Sequence, residues 1–410
     1  MKRGHLSDFF DGVAVKLLSS VEVDQAVSNQ HEFNGSVALQ KLFGAGDRRE
    51  IPTRFIWIGQ EQEASESEEG FLSWYDARRA HPTRTEYRLY YPSNSVTAMM
   101  REKDALILAT LRDQSVMLII TPSESTMFSQ LAWLFDFNRD PQTSFDYKPV
   151  SGSSTAELDF AAKTILDELG VDSSDQESAL ISALIEPFGT DMPRPEILSS
   201  LARESVGLEI GIEDPDAALL LWMERETQIF RGIERRIVAE RIANGFGSPG
   251  QEDVDGFVKF SLSVQNRRKA RAGLALESHI EAALKANGVR YSRGAITENG
   301  NKPDFLFPSS EAYSDSRYPA EFLLMLGAKS TVKERWRQVL SEAERISEKH
   351  LLTLEPSISE GQTDEMRAKQ LQLVVPSGLH GTYKPHQAQW LMTFDDFLSL
   401  AKARESGRRM

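Results

Sequence analysis

The sequence predicts an α/β protein in two parts: a β-rich N-terminal domain over residues 1–150 and a central mixed sheet flanked by helices over 196–410, with an acidic helical stretch at 151–195 between them. Three observations carry this. Residues 51–150 contain short runs rich in aromatic and β-branched side chains, such as Thr53-Arg54-Phe55-Ile56-Trp57-Ile58 and Ser115-Val116-Met117-Leu118-Ile119-Ile120. Such runs suit a pleated, buried surface. From Asp214 onward, long stretches of helical period enclose two short apolar runs, Phe305-Leu306-Phe307-Pro308 and Phe322 to Ala328, which read as strands. Between the parts, residues 138–156 combine proline, glycine and serine, the composition of a linker.

A chain of 410 residues exceeds one typical domain and fits two or three. With 40% hydrophobic and 26% charged residues it has an ordinary globular composition. No apolar run approaches a membrane span, and Met1-Lys2-Arg3-Gly4-His5 does not open a signal peptide. Cysteine is absent, which excludes disulfides, thiolate zinc sites and cysteine nucleophiles and fits a cytoplasmic location. No internal repeat and no phosphate-binding glycine loop is present.

The formal net charge of −14 argues against nucleic-acid binding by the chain as a whole, because phosphate neutralisation needs lysine and arginine. Its distribution reverses that. Residues 256–410 hold 23 basic and 18 acidic side chains, whereas residues 151–255 hold 8 basic and 22 acidic. The C-terminal region is mildly basic, and the acid is gathered in a middle segment that reads as a solvated surface.

In chain order, Val13–Leu18 and Val37–Phe43 are amphipathic, and residues 60–70, with five glutamates, read as a solvated loop. In residues 81–93 polar and apolar side chains alternate, placing Arg84, Glu86 and Arg88 on one face of a strand. That face reads either as a DNA contact or as a charged solvent face. Helical patterns follow at 156–169 and 177–185, broken by Asp191-Met192-Pro193-Arg194-Pro195. A longer one runs from Asp214-Pro215-Asp216 to about Ala243 and stops at Gly245-Phe246-Gly247.

The residues with chemistry lie further on. Pro303-Asp304 stands at the mouth of the first C-terminal strand, and the second ends on Lys329. Two adjacent buried strands bring this acid and this ammonium to one sheet edge, a costly burial unless they serve each other or a cation. After Lys329 an amphipathic helix is expected through Ile346, with Glu342 two turns in and able to reach the same edge. Two carboxylates and a lysine suit a hard divalent cation and a water to be deprotonated. Lys333, Glu334, Arg335 and Arg337 crowd the start of that helix. Lysine and arginine pair with guanine O6 and N7, and glutamate accepts from cytosine N4, so the cluster is fitted to read G·C pairs, or else forms a surface ion-pair network. Arg267, Arg268 and Arg271 form a basic run that reads as a phosphate contact or a solvated face.

At these residues, and in the segments "NRRKARAGLALESH", "ITENGNKPDFLFPS", "KERWRQVLSEA" and "LQLVVPSGLHGTY" in this order, the chain resembles the catalytic domain of EcoRII-type restriction endonucleases, a branch of the PD-(D/E)XK nuclease superfamily. The resemblance covers roughly residues 214–400. It implies a Mg²⁺-dependent type II enzyme that cuts double-stranded DNA at a CC(W)GG-like site as a homodimer through the C-terminal domain. The superfamily's usual second acid, two residues before the lysine, is replaced here by Gly327, and in this branch the carboxylate comes from further on, at Glu342. Asp304 and Glu342 would then hold the metal and Lys329 would act beside the scissile phosphate. Glu277 matches an upstream acid, which implies an outer-shell ligand or hydrogen-bond partner, with a solvent-facing helical glutamate as the other reading; Tyr313 matches a tyrosine proposed as catalytic, with a phosphate-contacting or structural hydroxyl as the other reading. In this family the Lys333-to-Arg337 cluster reads the GG/CC halves of the site. Arg84, Glu86 and Arg88 are similar to a stretch of the family's N-terminal B3-like pseudobarrel, which implies a second DNA-binding module serving as effector site or autoinhibitor. A nuclease of a defence system directed to modified DNA, and a DNA-binding regulator on a nuclease fold, are the alternatives.

Overall fold

The structure is a computed structural model that describes residues 5–23, 31–59, 65–81, 83–150, 158–171, 179–248, 251–332 and 335–407. Lys333 and Glu334 lie outside the described residues. The chain forms two compact units, Met1–Ser173 with Ser357–Gln362, and Ser174–Pro356 with Thr363–Met410. The break falls inside the acidic stretch 151–195.

The first unit is built on β1 (Phe10–Leu17), β2 (Glu32–Asn34), β3 (Arg48–Trp57), β4 (Glu66–Asp76), β5 (Tyr87–Tyr90), β6 (Asp104–Leu111), β7 (Val116–Pro122) and β8 (Asp146–Pro149). They form one sheet in the order β2-β5-β4-β3-β7-β6-β1-β8, with β3 and β7 parallel. The period of two divides β6 and β7 between two cores. Leu106, Leu108, Leu118 and Ile120 join Phe33, Phe55 and Trp57 on one side. Ile107, Ala109, Met117 and Ile119 join Phe10 and the Phe128 and Leu131 side chains of the helix Thr126–Phe135 on the other. A strand covered on both faces reads as a continuous apolar run. The order runs from β2 at one end to β8 at the other, one mixed sheet that makes this the β-rich part of the chain.

Two sequence expectations are corrected here. The glutamates Glu66, Glu68 and Glu69 lie on strand β4, not in a loop; they are exposed, and charge is tolerated on that solvent side. Arg84 precedes β5, which begins at Tyr87, so the three charged residues do not share a strand.

In the second unit the helix Pro215–Ala243 begins with Asp214, whose side chain accepts from the Ala217 N–H, and with a proline at its first position, as capping chemistry requires. It ends at Asn244, with Gly245 at φ +71°. Its second residue, Asp216, is buried and accepts the main-chain N–H groups of Ser377 (2.8 Å), Phe394 (3.0 Å) and Asp395 (2.9 Å). Desolvation raises the Asp216 pKa, and those bonds oppose the rise. The helix Val254–Ala286 runs alongside. After a two-residue pair β9 (Gly247–Ser248) and β10 (Gln251–Glu252), the sheet consists of β11 (Ser292–Arg293), β12 (Phe305–Phe307), β13 (Leu324–Lys329), β14 (Lys349–Thr353) and β15 (Leu371–Val374) in that order. Pairs β11–β12 and β12–β13 are antiparallel, and β13–β14 and β14–β15 parallel. This is the mixed sheet flanked by helices that the sequence predicts. The helix after Lys329 is corrected: it spans only Trp336–Val339.

Candidate active site

Register sets the first two side chains. Phe305 pairs with Leu326, which carries Asp304 alongside the C-terminal end of β13. Asp304 Oδ2 accepts from the Ala328 N–H at 2.7 Å and from Lys329 Nζ at 3.0 Å. The two side chains are 18% and 20% exposed: desolvated enough to strengthen their attraction, open enough to meet a ligand.

Glu342 reaches this edge from a turn. The Glu342 N–H donates to Val339 O at 3.1 Å, and Ala343 follows at φ +50°, which a helix cannot continue. Burial, and then the neighbouring charge of Asp304, push the Glu342 carboxyl up to about 7 against the opposing charges of Lys329 and Lys349. Its Oε2 is buried without a hydrogen-bond partner. Gly327, the place of the superfamily's usual acid, is buried, and a β-carbon there would lie 3.1 Å from Val339 Cγ2 and 3.5 Å from Leu351 Cδ1. An acid at that position would face packed methyl groups.

The turn is held from two sides. The segment just before Asp304 grips it: Asn301 Nδ2 donates to Ser341 O (2.7 Å), Asn299 Nδ2 to Glu344 Oε1 (2.8 Å) and the Glu344 N–H to Glu298 Oε2 (3.2 Å). From the sheet, Lys349 Nζ donates to Ile346 O (2.7 Å) and Ala343 O (3.3 Å). Burial depresses the Lys349 ammonium, and the nearby Glu342 charge holds it up.

Tyr313 belongs to this frame. It is 5% exposed, its hydroxyl donates to Glu298 Oε2 at 2.5 Å, and it accepts from the Arg345 N–H at 3.3 Å. Desolvation and the bond to Glu298 raise its pKa. Both partners, Glu298 and Arg345, belong to the frame around the turn. Glu277 is bound to Arg293, whose Nη2 lies 2.7 Å from Glu277 Oε2 and whose Nη1 lies 2.8 Å from Glu281 Oε2. Arg293 pairs in the sheet with Phe305, the residue after Asp304, so Glu277 is tied to the strand beside the Asp304 edge.

The DNA-contact candidates separate. Arg335 is exposed. Arg337 stacks on Trp336, 4.7 Å from the ring centroid, and its Nη2 lies 2.7 Å from Glu365 Oε2. Arg267 is half-buried. Arg268 and Arg271 turn toward the neighbouring helix: Arg268 Nε donates to the buried Glu234 at 2.8 Å. Arg271, 11% exposed, donates to Thr227 Oγ1 at 3.2 Å, lies 3.8 Å from the fully buried Glu226 and covers Phe230. Arg271 is packed between the two helices, whereas Arg268, 46% exposed, pairs with Glu234 and still meets solvent. In the first unit Arg88 is paired with Glu86 and with Glu32 (3.2 Å), and Glu86 also with Arg78; Arg84 is exposed.

Sequence reasoning missed Lys349, Glu298 and Glu355. Glu355 is buried and accepts from the Val332 N–H, anchoring the loop after Lys329. For Lys349 a signal existed: a lysine opening the apolar run Leu351-Leu352 is an ammonium carried into a core strand.

Among the described residues no three of histidine, aspartate or glutamate gather as a metal cluster. Asp304 and Glu342 offer two carboxylates, and the unpartnered buried Glu342 oxygen is the observation that fits a cation. Magnesium commonly takes one or two carboxylates and completes its shell with water and phosphate.

The mixed sheet thus carries an acid and a lysine on adjacent strands, with a further acid entering from the next turn. Residues 230–398 match the family model described as EcoRII C terminal. The chain is 46% identical over 187 residues to the type II restriction enzyme EcoRII of Escherichia coli, covering 45% of each. It is 28% identical over 151 residues to the type II restriction enzyme SsoII of Shigella sonnei, covering 34% of this chain and 48% of that enzyme. The chain thus spans about half the length of these relatives. A solved structure of metal-depleted Ecl18kI in complex with uncleaved, modified DNA is 19% identical over 58% of this chain and 87% of that one, with a TM-score of 0.46. The family match begins at residue 230, so the N-terminal sheet lies outside it. No described helix is long and apolar enough to cross a membrane.

Proposed function

We propose that this chain is a type II restriction endonuclease that hydrolyses double-stranded DNA at a CC(W)GG-like site with Mg²⁺, working as a homodimer through its C-terminal unit. The observation that carries the reading is Asp304 Oδ2, which accepts from Lys329 and the Ala328 N–H while Glu342 is electrostatically coupled to the same pair. Asp304 and Glu342 would hold the cation. When bound, it supplies positive charge at the scissile phosphate and acidifies a water. Lys329, fixed by Asp304, donates to the attacking water or a phosphate oxygen and offsets the charge that builds in the transition state. Water attacks phosphorus in line, the P–O3′ bond breaks, and the products carry a 5′-phosphate and a 3′-hydroxyl. Among the described residues of the base-reading cluster, Arg335 is exposed and Arg337 half-buried, and the N-terminal sheet serves as a second DNA-binding module with effector or autoinhibitory action.

The test is incubation of plasmid DNA, with and without cytosine methylation, with the full chain in Mg²⁺ and then in EDTA. Discrete Mg²⁺-dependent fragments, lost in Lys329→Ala, support the reading. No cutting of any substrate, or unchanged cutting by Lys329→Ala, overturns it, and cutting confined to methylated DNA assigns the chain to modification-dependent defence instead.

A further inference from the structure

Lys349 is a buried cation that the proposed chemistry leaves unused. It opens β14, and alternation along the strand puts it on the face of Leu351, where Leu351 and Val339 close around Gly327. The residue is 7% exposed. Its two bonds, to Ile346 O at 2.7 Å and Ala343 O at 3.3 Å, both end on the turn that directly follows Glu342. That turn contains Ala343 at φ +50°, a conformation that a residue with a β-carbon keeps when its surroundings over-determine it. The Glu342 carboxylate is close enough to feel the Lys349 charge.

We infer that Lys349 is a positioning residue: by holding the 343–346 turn from the sheet side, it aims the Glu342 carboxylate at the Asp304 edge and so sets the affinity of that edge for a divalent cation. The inference rests on the metal-holding reading of Asp304 and Glu342. Two effects oppose one another here, and their signs separate the explanations. As a mere neighbouring charge, Lys349 repels a cation, and its removal tightens binding. As the support of the turn, its removal lets the carboxylate wander, and binding weakens; residues that orient a metal ligand are typically worth about tenfold or more in affinity. A purely structural lysine lowers thermal stability when removed and leaves affinity where it was.

The experiment is calorimetric titration of Mn²⁺ alone into the full-length chain at pH 8, with thermal melting in parallel, for the wild type, Glu342→Gln and Lys349→Met. The expected result is Mn²⁺ binding by the wild type, weaker binding by Glu342→Gln, and binding by Lys349→Met about tenfold weaker at temperatures where that variant is folded. Affinity in Lys349→Met equal to or tighter than the wild type overturns the inference while leaving the metal site standing. Absence of Mn²⁺ binding by the wild type overturns the metal reading and the inference with it. Should Lys349→Met not fold, Lys349→Gln, one bond shorter and uncharged, is read the same way: several-fold weaker binding supports the inference, and unchanged affinity overturns it.

Discussion

Gly327 and Val339 close on each other so tightly that a β-carbon at 327 would stand 3.1 Å from Val339 Cγ2. A hydrophobic contact thus fills this position, and in the function proposed above Glu342 supplies the second carboxylate from across it. Restoring the acid should fail. Gly327→Asp must displace Val339 and bury a carboxylate against methyl groups, a destabilisation of about 2–3 kcal/mol to be read from urea denaturation. In a Glu342→Ala background, Gly327→Asp is expected to restore no cleavage; recovered cutting would show that Val339 yields and that the two positions are interchangeable.

Glu342 predicts a pH dependence. Its carboxyl is pushed up to about 7 in the folded, metal-free protein, above an unfolded value near 4.3. The folded state therefore prefers the protonated form. The stability this contributes is fully present below the unfolded pKa and is lost as pH rises from there through about 7. Glu342→Gln, always neutral, should match the wild type near pH 4.5 and exceed it at pH 8 by on the order of 1–2 kcal/mol, measured in EDTA by denaturant titration at both values. Equal stabilities at pH 8 would show a carboxylate that is not strained by burial.

Asp304 and Lys329 were open to sequence reasoning because each sits at the end of a short apolar run, where strand alternation and a charged terminus are local facts. Glu342 as an acid near that edge followed from the apolar spacing after Lys329 and from the family resemblance, but its backbone did not. Trp336, Val339, Leu340, Ala343 and Ile346 have helical spacing, yet the helix ends at Val339. The reason is tertiary: the groups that would extend the ladder are taken elsewhere, the Ala343 and Glu344 N–H groups by Thr297 and Glu298, and the Ala343 and Ile346 carbonyls by Lys349. Periodicity reports which residues are buried and is silent on which donors a distant segment will claim. The same blindness affects the arginines. A run such as Arg267-Arg268-Lys269-Ala270-Arg271 reads as a basic surface until the neighbouring helix is seen to bring Glu234 against Arg268 and Glu226 near Arg271.

Tyr313 tests catalysis against scaffolding. Its hydroxyl is spent on Glu298 and the Arg345 N–H, both part of the frame around the Glu342 turn. Tyr313→Phe should lose roughly 1 kcal/mol of stability from the unmade bond to a carboxylate and keep its cleavage rate within a few-fold at temperatures well below the melting transition. A loss of a hundredfold or more in single-turnover rate, with DNA affinity retained, would return the hydroxyl to the chemistry.

Arg271 and Arg335 should then behave as opposites. Arg271 is 11% exposed and lies 3.8 Å from the fully buried Glu226, which His279 Nε2 also meets at 3.0 Å; removing the arginine withdraws a positive charge from a buried carboxylate that keeps its histidine partner, at about 1–3 kcal/mol. Arg271→Ala is therefore expected to lower the denaturant midpoint strongly. The slope of log affinity for duplex DNA against log salt should not change, because no phosphate contact is lost. Arg335 is exposed at the start of the short helix after Lys329, and Arg335→Ala should leave stability within about 0.5 kcal/mol while weakening DNA binding. If Arg271→Ala instead reduces the salt slope by about one unit at unchanged stability, the guanidinium leaves Glu226 for the phosphate backbone when DNA binds, and the helix pair opens there.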